Sequence, residues 1–377
     1  MDRTPRLLLI GLGNIGRYIF PCCSAVLGDR IGEDLLCVKA TPSGIEELRA
    51  RFPFPIRTDG DCRRACFDLE PDVILVACRP HQIQPLVERD LLPYYDSCRK
   101  LGRPLPAIYS YAPAPEVTWF RRALGEDVLA ANIIPNMVDY TAGLSTASFT
   151  HHMVTLDPEA VWPAERMELL KRFLAPQGLF LPCRVEESIP LMCTKVTSHR
   201  LYDICTALAA GFEQAGRSAH HNQVADCGRA LLRSRFSSFG PDIWHCAANS
   251  LPEDLRQFTA AVLGAWYDGI VESTVAAGAD RETCELFTRG MFDLHLLTVS
   301  LVDQAQLDQN TRDHTTPGGV QEHSCLDFAA GPRDKLQEQA AAFASGRPQP
   351  QAAAEWQQIA ADLNRGLIAF STDIDKR

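Results

Sequence analysis

The segment Gly11-Leu12-Gly13-Asn14-Ile15-Gly16 limits this chain more than any other feature of its sequence. It follows directly on Leu7-Leu8-Leu9-Ile10, an apolar run with the character of a parallel strand covered on both faces. A helical pattern from residue 14 to about 27 comes next. In this setting the glycines have three separate uses. Gly11 permits a tight turn, Gly13 lets the backbone come close to a pyrophosphate, and Gly16 lets helix and strand pack closely. The start of the helix then offers N–H groups to an anion. A merely structural turn is the alternative, and the strand–turn–helix context favours dinucleotide binding.

The rest of the N-terminal part keeps the same rhythm. Leu35–Val38, residues 72–77, Ala107–Ser110 and residues 128–131 read as strands, with helices over 44–51 and 83–92 between them. Strands alternating with helices indicate βαβ units and a parallel sheet. From about residue 186 the pattern becomes helical. Leu201, Ile204, Cys205, Leu208 and Phe212 share one helix face, as do Phe258, Val262, Trp266 and Ile270. Phe287, Met291, Leu294 and Leu301 lie on a helix that is apolar nearly all round, which needs burial on every side. A homodimer interface or the core of a single subunit would supply it, and the sequence leaves both open. Residues 344–354 read as a flexible link before an amphipathic helix carrying Trp356, Ile359, Leu363 and Leu367.

With 377 residues, 46% of them hydrophobic, two domains are expected. The fold expected is α/β: an N-terminal Rossmann dinucleotide-binding domain over 1–186, then an all-helical dimerisation domain over 187–377. An added helical segment is expected at about 189–251.

The end of the second strand reads out the cofactor. NAD-binding folds place a carboxylate there to hold the ribose hydroxyls. This chain has Lys39-Ala40-Thr41-Pro42-Ser43 instead, one charge and two hydroxyls suited to a 2′-phosphate. NADPH is therefore the expected cofactor, with an ordinary exposed Lys39 as the alternative.

Charge and composition remove other classes. The formal net charge is -10, with 47 acidic against 37 basic residues and no basic cluster beyond isolated pairs such as Arg63-Arg64 and Arg121-Arg122. Such a surface repels phosphate backbones, so no nucleic-acid partner is expected. The 14 cysteines form no CxxC pair and sit among apolar residues, as buried reduced thiols do. His151-His152 and His220-His221 are adjacent pairs, poor geometry for a shared metal, and no metal is expected. No stretch approaches the roughly 20 apolar residues of a membrane helix. A cytoplasmic protein without a membrane partner is expected.

Three further motifs carry chemistry. Ala77-Cys78-Arg79-Pro80-His81 lies past a parallel strand, where ligands of open α/β sheets bind. Ile134-Pro135-Asn136-Met137 ends another strand-end turn. Thr315-Thr316-Pro317-Gly318-Gly319-Val320-Gln321 interrupts the helical half and can aim successive N–H groups at an anion. In this order the motifs resemble the pyrroline-5-carboxylate reductase family, which shows a GxGxx(G/A) turn, then AVKPQ or AVKPH, MPNTP and SPGGTT. The resemblance covers roughly residues 5–200 and 258–340. It implies a Rossmann domain holding NAD(P)H, a dimerising helical domain, and an active site between the nicotinamide and the SPGGTT loop. By that resemblance Gly11, Gly13, Asn14, Ile15 and Gly16 face the pyrophosphate, and Lys39, Ala40 and Thr41 the adenosine ribose or its phosphate. Ala77, Cys78, Arg79 and Pro80 line the cofactor, with Asn136 on its nicotinamide side. Thr316, Gly318, Gly319, Val320 and Gln321 form the substrate loop.

The departures fall on the substrate side. The paired Thr of SPGGTT is Val320-Gln321 here, the Gly-Ser-Gly-Pro-Ala turn is missing, and about sixty residues are added at 189–251. A small, cyclic, carboxylate-bearing imine other than the proline precursor is therefore the expected substrate. Reducing its C=N bond takes a hydride on carbon and a proton on nitrogen; the cofactor performs the hydride chemistry. Candidate proton donors are Gln321, Thr316 and the histidines His314 and His323, with Glu322 available to balance a cationic substrate. Reduction of a carbonyl or a deazaflavin, and a non-catalytic NADP-binding regulator, are the competing expectations.

Overall fold

The computed structural model describes residues 3–135, 150–236, 251–315 and 317–375. These divide into two compact units, which fall within Met1–Met137 with His151–Ser188 and within Ile189–Arg377 with Val138–Thr150.

The first unit is built on an eight-stranded sheet: β1 (Leu7–Ile10), β2 (Leu35–Val38), β3 (Ile56–Arg57), β4 (Val73–Val76), β5 (Ala107–Ser110), β6 (Ala130–Ile134), β7 (His151–Leu156) and β8 (Leu179–Cys183). Their order is β3-β2-β1-β4-β5-β6-β7-β8, parallel except for the antiparallel β6–β7 pair. The first six strands run 3-2-1-4-5-6, the doubly wound Rossmann arrangement. Leu7 pairs with Leu35 on one side and Val73 on the other, so β1 is central and its end faces the point where the strand order reverses. Successive side chains alternate between faces. Leu7 and Leu9 join one apolar layer with Tyr18, Cys22 and Phe173, while Leu8 and Ile10 join another with Cys66, Ile83 and Phe120.

Several boundaries differ from the sequence reading. The expected helix over 14–27 is two, Asn14–Tyr18 and Phe20–Leu27, because Pro21 lacks an N–H and its ring crowds the preceding turn. The helix begun at Pro80 runs through a wider turn at Val87–Leu91 and continues to Lys100. The strand expected at 128–131 forms later, as Ala130–Ile134.

The second unit is helical. Its long helices are Leu201–Gln214, His221–Arg235, Glu253–Ala276, Arg281–Leu301, Pro332–Ala344 and Ala352–Asp375. Two crossings are close enough that a side chain would not fit: Gly211 lies against the Gln337 carbonyl and Ala340, and Gly269 against the Gln357 carbonyl and Ala360. A buried polar knot ties Val185–Ser198 to these helices. Thr197 Oγ1 donates to Asn364 Oδ1 at 2.9 Å, and Asn364 Nδ2 donates to Ser273 Oγ at 2.9 Å and Thr274 Oγ1 at 2.8 Å.

The nearly all-apolar helix is Arg281–Leu301. Every residue from Gly290 to Val299 is buried within the single chain. The core reading of this helix therefore holds, and its apolar surface gives no argument for a second copy. Among the described residues no helix is long and apolar enough to cross a membrane.

Candidate functional site

The turn after β1 separates the three glycines by what surrounds them. Gly11 has φ +100°, and a Cβ there would lie 2.6 Å from the Ala77 carbonyl oxygen. Only glycine takes that backbone without strain so close to a neighbouring strand. At Gly16 a Cβ would strike the Gly11 carbonyl. Gly13 has an ordinary extended backbone, φ -85°, and a Cβ there would meet nothing within 4 Å. Two glycines are demanded by the protein's own packing and the middle one is not. That combination meets the steric demands of a turn that brings backbone against a diphosphate.

The neighbouring turns are joined to it by backbone bonds. Gly11 N–H donates to the Val38 carbonyl at 2.9 Å, Ala77 N–H to Ile10 at 2.8 Å, and Tyr111 N–H to Val76 at 2.9 Å. Gly11, Lys39 and Ala77 thus leave three adjacent strands together. Lys39 Nζ donates to Thr41 at the carbonyl (2.7 Å) and at Oγ1 (2.8 Å), gathering one cation and one hydroxyl over Ala40. Arg79 is exposed and caps the next helix start, its N–H held by Gln82 Oε1 at 3.0 Å. Cys78 is a thiol at neutral pH, since burial pushes it up to about 11, and a thiol of that kind is a poor nucleophile. Asn136 lies outside the described residues.

In the second unit one N–H of the expected anion nest is answered by the chain itself. Gly318 N–H donates to Glu322 Oε2 at 2.7 Å, so a carboxylate of the chain already occupies it. Glu322 lies in the first turn of its helix and closes its own loop. Val320 opens the helix Val320–Ala329 behind Gly319. Thr316 lies outside the described residues, and His314 ends the helix Gln304–His314. His323 is engaged elsewhere, its Nε2 3.4 Å from Asp327 and its ring stacked on Phe370 at 4.4 Å.

Gln321 leads to a group the sequence reading missed. Its amide Nε2 lies 2.8 Å from His199 Nδ1, and Arg200 Nη2 lies 3.0 Å from the same nitrogen. A guanidinium has donors only. Nδ1 must therefore accept, Gln321 must present its NH₂, and the imidazole proton sits on Nε2. Arg200 is anchored by Asp203 at 2.8 Å. The ring packs on Tyr202 (4.3 Å between centroids) and meets His295 edge-on at 5.1 Å. One turn before His199 is Lys195, whose carbonyl accepts the His199 N–H at 3.2 Å. Residues four apart share a helix face. Burial pulls the Lys195 ammonium down from the ordinary lysine value to about 8. The run Lys195-Val196-Thr197-Ser198-His199, following the apolar Ile189-Pro190-Leu191-Met192-Cys193, is the signal that could have found it.

Among the described residues no three His, Cys, Asp or Glu side chains group as a metal site would require. His151 and His152 lie in β7 and point to opposite faces, and His221 Nε2 lies 3.1 Å from the Val302 carbonyl. The thirteen cysteines among the described residues are all free thiols.

No family model matches the chain, and no curated protein matches it by sequence. Solved structures do resemble it. The pyrroline-5-carboxylate reductase from Coxiella burnetii is 15% identical, with a TM-score of 0.40 over 94% of this chain and 99% of that one. The Plasmodium falciparum pyrroline carboxylate reductase with NADP bound is 12% identical, with a TM-score of 0.37 over 95% and 98%. A D-mandelate dehydrogenase in complex with NADH is 10% identical, with a TM-score of 0.43 over 97% and 99%. Likenesses of this degree add nothing to what the strand order already establishes.

Proposed function

We propose that the chain is an NADPH-dependent reductase of the C=N bond in a small, cyclic, carboxylate-bearing imine. The observation that carries the reading is the division of labour among Gly11, Gly13 and Gly16 at the end of the central strand, where only Gly13 is unexplained by the protein's own packing. Gly11 to Gly16 hold the diphosphate, with Ala77, Cys78, Arg79 and Pro80 beside them and Asn136 toward the nicotinamide. Lys39 and Thr41, with no carboxylate at the end of β2, favour the 2′-phosphate of NADPH. When bound, the cofactor supplies the hydride.

The chain's own part is the proton. Lys195, lowered to about 8, is poised to donate near neutral pH. His199 presents Nε2–H as a donor whose tautomer Arg200 and Gln321 fix. Gln321 acts through His199 rather than on the substrate. A homodimer belongs to the same proposal, and light scattering of the purified protein tests it.

Lys195 also favours a second reading. An alkoxide needs a proton more than an iminium nitrogen does, so a half-buried lysine donor suits reduction of a carbonyl. Following NADPH consumption with cyclic imines, 2-oxo acids and a deazaflavin decides between them. Turnover confined to cyclic imines supports the first reading. Turnover confined to 2-oxo acids replaces it, and NADPH binding without turnover on any substrate points to a regulatory role.

A further inference from the structure

We propose that Arg17 is the side chain that holds the diphosphate of the bound dinucleotide, an assignment that rests on the dinucleotide reading above. Five arginines among the described residues carry a buried guanidinium nitrogen without an acceptor: Arg6, Arg17, Arg57, Arg200 and Arg229. Four of them hold a carboxylate through another nitrogen. Arg6 lies 3.6 Å from Glu70, Arg57 2.8 Å from Asp68, Arg200 2.8 Å from Asp203 and Arg229 3.0 Å from Asp293. Arg17 has no acceptor at any nitrogen among the described residues, in a chain with 47 acidic side chains to choose from. The buried Nε of this half-buried side chain is thus left for an acceptor from outside the chain.

Its place says what completes it. Arg17 N–H donates to the Gly13 carbonyl at 3.0 Å, which sets Arg17 one turn beyond Gly13 on the same helix face. Helical side chains lean toward the start of their helix, so the guanidinium leans back over the glycine that has open space beside it. Gly16, the neighbour of Arg17, faces the other way, into the Gly11 carbonyl. Lys39 differs because Thr41 already satisfies it. The guanidinium fork matches two phosphate oxygens at once. A diphosphate is common to NADH and NADPH, so Arg17 supplies affinity and Lys39 the choice between them.

The test titrates the full-length protein with NADPH and with NADH, following nicotinamide fluorescence. Arg17→Met, which keeps an unbranched stem and removes the charge, is expected to weaken both at least tenfold and by the same factor. Its binding should also depend less on salt than that of the wild type. Arg17→Lys recovers part of the loss, and Lys39→Met weakens NADPH alone. Because Arg17 makes no bond that the fold needs, Arg17→Met melts with the wild type. Unchanged affinity in Arg17→Met overturns the assignment, as does a loss confined to NADPH, which would move Arg17 to the 2′-phosphate. If the wild type binds neither nucleotide, the dinucleotide reading fails and the assignment falls with it.

Discussion

The glycine turn of the first unit and the histidine group of the second are finished to different degrees. Around Gly13 the protein leaves groups unanswered: open space beside the glycine and a guanidinium without an acceptor. Around His199 the polar groups answer one another, with Arg200 and Gln321 on Nδ1 and Asp203 behind Arg200. On the proposed reading the first region receives a large anion. The second is shaped to fix where one proton sits. A reductase needs both, the binding of a reagent and the holding of a proton donor in one state.

Substitutions can pull the two regions apart. The largest effect is expected at Gly16, where a methyl group runs into the Gly11 carbonyl. Gly16→Ala should lower stability by about 3 kcal/mol, in line with overpacking of a closed site, and take dinucleotide binding with it. Denaturant unfolding measures the first and nucleotide titration the second. Next in size is Gln321→Leu, which leaves Nδ1 to Arg200 alone. It should lower kcat about tenfold to a hundredfold, the scale of a mispositioned acid or base, with NADPH affinity unchanged. A Gln321→Leu protein that loses NADPH affinity as well would end the separation of roles.

A smaller effect concerns pH. Lys195 titrates at about 8 in the folded chain against the ordinary 10.5 when unfolded. Between those values the unfolded chain binds more protons, so stability rises with pH across about 8 to 10.5. Below about 8 the cost of the buried ammonium is fully present. Lys195→Met should remove that rise and melt higher than the wild type at pH 7. Turnover of the wild type should fall as pH rises through about 8, as the donor loses its proton. Melting curves and rate profiles on the two proteins check both.

How far the sequence discloses these regions follows from how each is built. β1, β2 and β5 are legible to the residue because strands buried on both faces are uninterrupted apolar runs. The glycine turn is legible because its steric demands fall on consecutive residues. β3, only Ile56–Arg57, is too short to show a period, and β8 (Leu179–Cys183) contains Pro182 and is partly exposed. The His199 group is illegible for another reason. Its members come from three separate stretches, near residues 195–203, 295 and 321, and only packing brings them together. Gln321 stands out through its loop, but its partner lies 122 residues away in sequence. At the loop of Gly318 a single side chain, Glu322, reaches back to a backbone N–H, which no spacing rule predicts.

The central claim is that the space beside Gly13 belongs to a dinucleotide, and Gly13→Ala tests it most directly. The backbone there is ordinary and no atom stands in the way of a methyl group, so the substituted protein should fold with stability within about 1 kcal/mol of the wild type, as expected for a helix-cap glycine. NADPH affinity should nevertheless fall at least about tenfold, roughly 1.4 kcal/mol, because the methyl group takes the place of the approaching phosphates. A Gly13→Ala protein that binds NADPH as tightly as the wild type would contradict the account.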